Sequence, residues 1–446
     1  MTTVPEEIAD EEHEQVTERV CAIDVAKESG KVCVRMPHET RPGRVSKVWD
    51  VPATMRAVTE LGEVLVSQQV EVVTIESTGD YWRIFFYLLE AGGLKVQLVN
   101  ARDVKNVPGR PKTDKLDAVW LAKLTEKGLL RPSFVPPAEI RVLRDYTRMR
   151  SDLIRERTRH WQRLEKLLED ALIKVTSVAS KIDGQSVRDM IEALIAGERD
   201  PWVLAGLARG RMKAKRAPLV QALTGQFDEH HAELARLLLD QIDGLSAQID
   251  KLTARVEQLI ADLPEAPLPG PSGAAHIADQ DGGPLPPLER LTEIPGIARR
   301  SAQVILAEIG LDMTRFPTAS HLVSWAKLCP RTIQSGAKST AARAGKGNPY
   351  LKGILGEAAA AAAKTSTFLG ERYRRVVKRR GKLRALVAVA RSILVIIWHL
   401  LANPAARYYD LGSDYHANRI GKDRQARGHI RQLEALGFTV TLTAAA

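Results

Sequence analysis

The chain has 446 residues, of which 44% are hydrophobic, and it carries a formal net charge of +11 with a pI of about 9.5. This length predicts two or three domains with buried cores, and the positive charge favours a polyanionic partner. The three cysteines form no CxxC pair, which argues against a zinc site and a disulfide framework and fits a reducing, cytoplasmic setting.

The N-terminal part predicts an α/β domain over 20–130, preceded by a disordered acidic leader over 1–19. Strands are expected at 20–24, 31–36, 45–50, 70–76 and 95–100, and helices at 54–68, 82–90 and 114–124. Three early strands followed by strand–helix units indicate a meander with the first strand in the centre of the sheet. That order resembles an RNase H-like sheet.

Four acidic residues stand at the ends of these elements. Asp24 follows the apolar run 20–23, and Glu76 ends the run 70–75. Asp114 and Asp117 are three residues apart at the start of a predicted helix, so both face the same side. Carboxylates brought together require a cation, and hard oxygen ligands suit two Mg²⁺ or Mn²⁺ ions. The alternative is a generic α/β domain whose strand ends are acidic by coincidence.

Residues 138–263 predict a helical, coiled-coil region in the middle of the chain. Its second half repeats apolar residues with alternating spacings of four and three. The repeat consists of Leu238, Ile242, Leu245, Ile249, Leu252, Val256, Leu259 and Leu263. Two arrangements remain open: pairing with the first helix of the same chain, or pairing with a partner chain.

A Pro- and Gly-rich linker over 264–287 is followed by a mostly helical domain over 288–412 and a tail over 413–446. This domain starts with a segment around Pro295-Gly296 that resembles a helix–hairpin–helix. A plain helical turn is the alternative. The apolar run 392–402 is too short to span a bilayer, so no membrane association is expected.

The C-terminal domain contains a Ser-Gly loop and most of the positive charge. Ser335 lies among small residues and cations, and on its own such a serine is usually a turn residue. Between 331 and 384 there are 14 Lys and Arg residues against two acids, a net charge of +12. A nucleic-acid backbone is the expected partner of this stretch.

Together these motifs resemble one family, the insertion-sequence transposases of the one-ten type, which are related to the Piv-type DNA invertases. The resemblance extends over about 20–410. It rests on the following segments: Ile23-Asp24-Val25-Ala26-Lys27, Glu76-Ser77-Thr78-Gly79, Lys112-Thr113-Asp114-Lys115-Leu116-Asp117-Ala118, Ile294-Pro295-Gly296-Ile297, Ser335-Gly336 and Gly347-Asn348-Pro349-Tyr350-Leu351-Lys352. The long linker and Ala298, which stands where the hairpin normally has a glycine, depart from the family pattern.

The resemblance implies a RuvC-like nuclease domain with a DEDD acid set and a second domain with a catalytic serine. Ser335 would attack the phosphodiester and form a covalent phosphoserine intermediate with DNA, with Ser339 as the competing candidate. The resemblance also implies donor and target DNA, a structured guide RNA, and a dimeric or tetrameric assembly in the bacterial cytoplasm at the nucleoid.

Cations expected to contact nucleic acid lie in both halves of the chain. They are Arg110, Lys112, Lys338, Arg343, Lys346, Arg375, Arg379 and Arg380. Two other functions remain open. A junction-resolving endonuclease would use the acids and a metal-activated water without a serine, and a non-enzymatic scaffold would need neither.

Overall fold

The computed structural model describes residues 17–38, 40–77, 79–101, 114–263, 285–329, 332–335, 338–341, 345–416 and 422–441. The chain divides into two compact units, 1–135 and 136–446. The helical middle region and the C-terminal helices therefore belong to one unit. Most of the predicted linker, 264–284, lies outside the described residues.

The first unit is built on a five-stranded mixed sheet in the order β3-β2-β1-β4-β5. Its elements are β1 (Val20–Val25), β2 (Ser29–Pro37), β3 (Arg44–Pro52), α1 (Met55–Ser67), β4 (Val72–Ser77), α2 (Trp82–Ala91), β5 (Val96–Asn100) and α3 (Asp114–Glu126). β1, β2 and β3 form an antiparallel meander, whereas β1, β4 and β5 run parallel. The first strand is central, as the sequence predicts.

Helices cover both faces of this sheet, because apolar residues on β1 alternate between two cores. Cys21 and Ile23 pack with α1 and α2, where Phe85 is fully buried. Val20 and Ala22 pack on the other face with Leu121 of α3. Residue 24 follows the same alternation and falls on the α3 face.

The second unit contains two long helices, α4 (Ala138–Asp170) and α8 (Glu229–Ala261), that pack against each other within the chain. They run antiparallel: Leu143 packs with Val256 near one end, and Arg157 donates to Ser246 at 3.1 Å further along. The heptad positions separate into a buried set, Ile242, Ile249 and Val256, and a half-exposed set, Leu238, Leu245, Leu252 and Leu259. Of the two predicted arrangements, the structure has pairing within the chain.

A small helical subdomain connects these two helices. It contains α5 (Gln185–Ile195), α6 (Pro201–Gly206), α7 (Arg216–Leu223) and short 3-10 turns at Val175–Ser177 and Gly210–Lys215. Its core includes Met190, Leu204 and Leu219, which pack with Leu164 and Leu239 of the long helices.

The remaining elements of the second unit are mainly helical. They are α9 (Pro287–Thr292), α10 (Arg299–Ile309), a 3-10 turn (Met313–Arg315), α11 (Ala319–Trp325), β6 (Thr332–Ser335), β7 (Lys338–Ala341), α12 (Pro349–Ala362), α13 (Phe368–Arg380), α14 (Lys382–Ala402) and α15 (Lys422–Ala435). By length and composition α14 is apolar enough to span a membrane. It packs against α11, α12 and α13 and buries Ile393, Leu394 and Ile397, as a core helix does.

The turn between α9 and α10 depends on Gly296. Its φ is +90°, and a Cβ added there would lie 2.3 Å from the carbonyl oxygen of Ala358 in α12. The alanine run 358–363 brings the α12 backbone close enough to contact this turn. The segment expected to resemble a helix–hairpin–helix therefore uses its glycine for packing.

Gly296→Ala is expected to lower the free energy of unfolding by more than about 2 kcal/mol, because it adds left-handed backbone strain to a steric clash. Urea denaturation followed by circular dichroism measures this. Gly353→Ala is the control. Gly353 lies in α12, the helix that Gly296 contacts, and a Cβ at Gly353 meets nothing within 4 Å. A loss no larger than that of the control would contradict the packing role.

Candidate metal centre and nucleic-acid interface

Asp24 and Glu76 lie side by side at the carboxyl ends of two parallel strands. They are direct register partners of β1 and β4. Both belong to the α3 face of the sheet, since Ile23 and Ile75 belong to the opposite core. Glu76 is 6% exposed and Asp24 is half-buried. The sheet therefore brings together two of the four predicted carboxylates.

Helix α3 is fixed on this face by polar contacts near its C-terminal end. Thr125 Oγ1 lies 2.8 Å from Thr74 Oγ1, and Gln97 Nε2 donates to the same Thr74 oxygen at 2.7 Å. Glu126 forms ion pairs with Arg35 and with Arg44, the second at 3.3 Å. Because Arg35 is the register partner of Val20, the end of α3 lies at the beginning of β1.

Ideal helix and strand geometry predicts that Asp117 lies near the level of Asp24. From Glu126 back to Asp117 a helix rises about 13 Å, and from Val20 to Asp24 a strand advances about 13 Å. Asp117 also shares a helix face with Leu121 and Thr125, which are buried against the sheet. We therefore expect a third carboxylate at the same edge of the sheet, on the helix that packs on the Asp24 face.

Asp114 is the first residue of α3, one turn before Asp117. Its side chain is not among those that the structure describes. Arg110, Lys112 and Arg343 lie outside the described residues altogether. Their functions stay predictions.

Another group of metal-ligating residue types occurs in the second unit, at Asp228, His230 and His231. Its geometry is that of a helix cap. His231 Nδ1 accepts a hydrogen bond from the backbone N–H of Asp228 at 3.1 Å, which completes the capping box of α8. The positive end of the helix dipole also disfavours a cation there. The carboxylate edge of the first unit is the better candidate for a divalent metal.

Ser335 is the last residue of β6 in a two-stranded hairpin. It pairs with Lys338, the first residue of β7, and Gln334 pairs with Ser339. The sequence alone predicts a flexible loop here, whereas the backbone forms a short ladder. Ser335 and Ser339 therefore occupy adjacent register positions of this ladder.

Residues 345–348, which precede α12, are anchored by side-chain hydrogen bonds. Asn348 caps α12, because its Oδ1 accepts from the backbone N–H groups of Tyr350 at 3.0 Å and Leu351 at 3.2 Å. Its Nδ2 donates to Glu308 Oε2 at 2.5 Å. Lys352 Nζ also donates to the carbonyl of Gly345 at 2.8 Å. Residues 345–348 are therefore held at both ends, by Lys352 at Gly345 and by Glu308 at Asn348.

Glu308 connects this anchor to helix α4. It is fully buried, and Arg148 donates to both of its carboxylate oxygens at 2.8 Å. Arg144 donates to the backbone carbonyls of Ala307 at 3.0 Å and Glu308 at 2.6 Å, at the end of α10. The hydrogen bond to Glu308 raises the pKa of Arg148, so the guanidinium stays charged.

Tyr350 adds a second contact between α12 and α4. Its hydroxyl donates to Asp152 at 2.9 Å, and the guanidinium groups of Arg148 and Arg155 lie 4.9 and 5.0 Å from its ring centroid. Burial, together with the nearby Asp152, raises the pKa of Tyr350. Sequence analysis missed Glu308 and its partners. The available signal was a lone acid inside the apolar stretch 302–309.

Exposed cations gather where α13 turns into α14. The turn is made by Gly381, whose φ is +79°. The exposed cations around it are Lys378, Arg379, Arg380, Lys382 and Arg384. Arg375 is half-buried further back on α13, and Lys346 is exposed before α12. Two of the predicted nucleic-acid contacts, Arg379 and Arg380, thus share one exposed tip with three further cations.

Both functional regions match models of transposase domains. A model described as Transposase, of the DEDD type of IS110, matches residues 21–173, which include Asp24, Glu76, Asp114 and Asp117. A model described as Transposase of the IS116/IS110/IS902 family matches residues 288–374, which include Ser335 and Glu308. The acidic sheet edge and the serine hairpin therefore lie within the segments that match these two models.

A curated relative, the insertion element IS110 uncharacterized 43.6 kDa protein of Streptomyces coelicolor, is 36% identical over 121 residues. The match covers 26% of this chain and 29% of that protein. The chain belongs to the IS110-type insertion-sequence transposases.

Proposed function

We propose that the protein is a metal-dependent DNA transposase that cuts and rejoins strands through a covalent phosphoserine intermediate. The observation that carries this proposal is the register pairing of Asp24 with Glu76 at the carboxyl ends of β1 and β4, with α3 packed on the same face of the sheet. The strand order with β1 in the centre supports an RNase H-like, RuvC-type domain. Such a domain would act on the phosphodiester backbone of donor and target DNA.

Asp24, Glu76, Asp114 and Asp117 would hold two Mg²⁺ or Mn²⁺ ions. The donor set fits these metals, because it offers carboxylate oxygens from two strands and one helix. When bound, the ions supply charge neutralisation at the scissile phosphate and lower the pKa of a coordinated hydroxyl. Thr74, Thr125 and Gln97 would position the acids by fixing α3 on the sheet.

Ser335 would provide the nucleophile. Its Oγ forms a bond to phosphorus while the bond from phosphorus to the departing DNA oxygen breaks. The serine proton ends on that departing oxygen, so the bond energy is kept in a phosphoserine ester. The reverse attack by a DNA hydroxyl rejoins a strand and restores Ser335. The Asn348 anchor would hold the hairpin in position for these steps.

The basic tip around Gly381 would bind nucleic-acid phosphates, and its affinity would fall as salt rises. A structured guide RNA would select the DNA sites by base pairing while the protein contacts backbone and shape. We also propose a dimer or tetramer, in which the serine of one protomer serves the acids of another. These functions place the protein at DNA in the bacterial cytoplasm.

A covalent adduct assay tests the serine chemistry. Cognate DNA labelled on one strand is incubated with the protein and Mg²⁺ and then separated under denaturing conditions. We expect a slow, protease-sensitive band with wild type and with Ser339→Ala, and no such band with Ser335→Ala. An adduct that Ser335→Ala still forms would assign the nucleophile elsewhere. Cleavage by Ser335→Ala without any adduct in wild type would favour the junction-resolving endonuclease.

A further inference from the structure

The subdomain between α4 and α8 exposes a tryptophan. Trp202, in α6, is 57% exposed although Leu204 of the same helix is fully buried. Its backbone is fixed, because its N–H donates to Asp200 Oδ1 at 2.8 Å. The guanidinium carbon of Arg216 lies 5.9 Å from the indole centroid. An exposed indole beside a cation is thus held on a rigid helical turn.

A dense group of cations adjoins this indole. Five cations and no acid occur within 209–216: Arg209, Arg211, Lys213, Lys215 and Arg216. The segment is fixed to the subdomain by three contacts. Arg209 pairs with Asp189 at 2.6 Å, the N–H of Arg209 donates to Ser186 at 2.9 Å, and Lys215 donates to the carbonyl of Val178 at 3.0 Å.

Two cations of this surface make no polar contact with the rest of the described residues. Among the described residues, Arg211 and Lys213 have exposed side chains with no ion pair or hydrogen bond. Like charges this close repel each other, and the exposed indole buries little apolar area. Charge alone would fit any polyanion. An indole beside phosphate-binding cations fits an unpaired nucleotide, because a base stacks on the ring while its phosphates contact the cations.

We propose that Trp202, Arg211, Lys213 and Arg216 form a binding site for single-stranded DNA. We call these four residues the Trp202 surface. The assignment to DNA rests on the proposed function, in which strand exchange exposes unpaired nucleotides. Stacking requires a base that is free of its duplex, so the surface discriminates single strands from duplex DNA.

Fluorescence anisotropy with a labelled single-stranded oligonucleotide tests this site. The full-length chain is used in EDTA, so that strand cleavage plays no part. Trp202→Ala should weaken binding about tenfold, and Trp202→Phe should restore most of the affinity, since base–aromatic stacking accounts for changes of this size. Tyr409→Ala is the matched control, because Tyr409 is 82% exposed and distant in sequence. It should leave the affinity unchanged.

The charges are tested by salt dependence. Arg211→Ala with Lys213→Ala should reduce the slope of log affinity against log salt by about 1.4 for a single strand. Lys251→Ala with Arg255→Ala removes two exposed cations from α8 and should leave the slope unchanged. Binding of duplex DNA should change less than about twofold with Trp202→Ala, since paired bases cannot stack on the ring.

Three outcomes would overturn the assignment. They are unchanged single-strand binding by Trp202→Ala, an equal loss for duplex DNA, and dependence on Trp202 only with RNA or with an acidic protein. These outcomes are separable from failure of the proposed function. A chain that forms the Ser335 adduct but binds single strands without Trp202 loses this inference alone. A chain that needs Trp202 yet forms no adduct loses the serine chemistry alone.

Discussion

Asp24→Asn and Glu76→Gln are each expected to reduce DNA strand cleavage about a thousandfold. Losing a carboxylate ligand removes about 4 kcal/mol of transition-state stabilisation, and about 1.4 kcal/mol corresponds to each factor of ten. Both substitutions keep the shape of the side chain, so the sheet should fold normally. Initial rates with labelled DNA at saturating Mg²⁺ measure the effect.

The matched control is Asp50→Asn. Asp50 lies in the same sheet, on β3, and pairs with Lys31 at 2.6 Å while its side chain remains 61% exposed. Its loss should change the rate less than about twofold, because Asp50 lies two strands away from Asp24 and its side chain is largely exposed. Magnesium should raise the melting temperature of wild type and of Asp50→Asn, but not that of Asp24→Asn. Equal cleavage rates for wild type, Asp50→Asn and Asp24→Asn would contradict a catalytic role for Asp24.

Glu308→Ala is expected to lower the free energy of unfolding of the second unit by about 3–5 kcal/mol. The substitution leaves Arg148 without its bidentate partner and Asn348 without its acceptor, both of them half-buried, at a site where Glu308 itself is fully buried. Urea denaturation followed by circular dichroism measures the loss. The adduct yield should fall as well, because Asn348 ends the segment that leaves the Ser335 hairpin.

Glu60→Ala provides the comparison for Glu308. Glu60 also pairs with an arginine at 2.8 Å, Arg56, but its side chain is 59% exposed. Removing it should cost less than about 1 kcal/mol. Glu308→Gln should lie between the two, because an amide retains one acceptor for Asn348. If Glu308→Ala and Glu60→Ala were equally stable, the anchor would contribute nothing measurable.

The elements of the sheet were predictable because their patterns are local. Apolar runs at 20–23 and 70–75 end in acids, and both form strands that pair as expected. The helix at Asp114 begins where two acids three residues apart precede Ala118 and Leu121. Local periodicity thus predicted the two strand ends at which Asp24 and Glu76 lie side by side.

Other features depend on contacts between distant segments. The heptad repeat of α8 is compatible with a partner helix in the same chain or in another chain. Only the packing of α8 on α4 shows that the partner is in the same chain. Glu308 looks like one acid on an apolar helix, yet its partners are 160 and 40 residues away. Ser335 was expected in a loop, because a four-residue strand leaves almost no periodic signal.

The proposed function requires a divalent metal that is held by Asp24, Glu76, Asp114 and Asp117. Iron-directed backbone cleavage tests it most directly: Fe²⁺ replaces Mg²⁺, ascorbate and peroxide generate hydroxyl radicals, and the chain breaks near the bound ion. We expect breaks near residues 24, 76 and 114–117, suppressed by excess Mg²⁺ and absent from Asp24→Asn. Breaks confined to 228–231, or breaks that Asp24→Asn leaves unchanged, would contradict it.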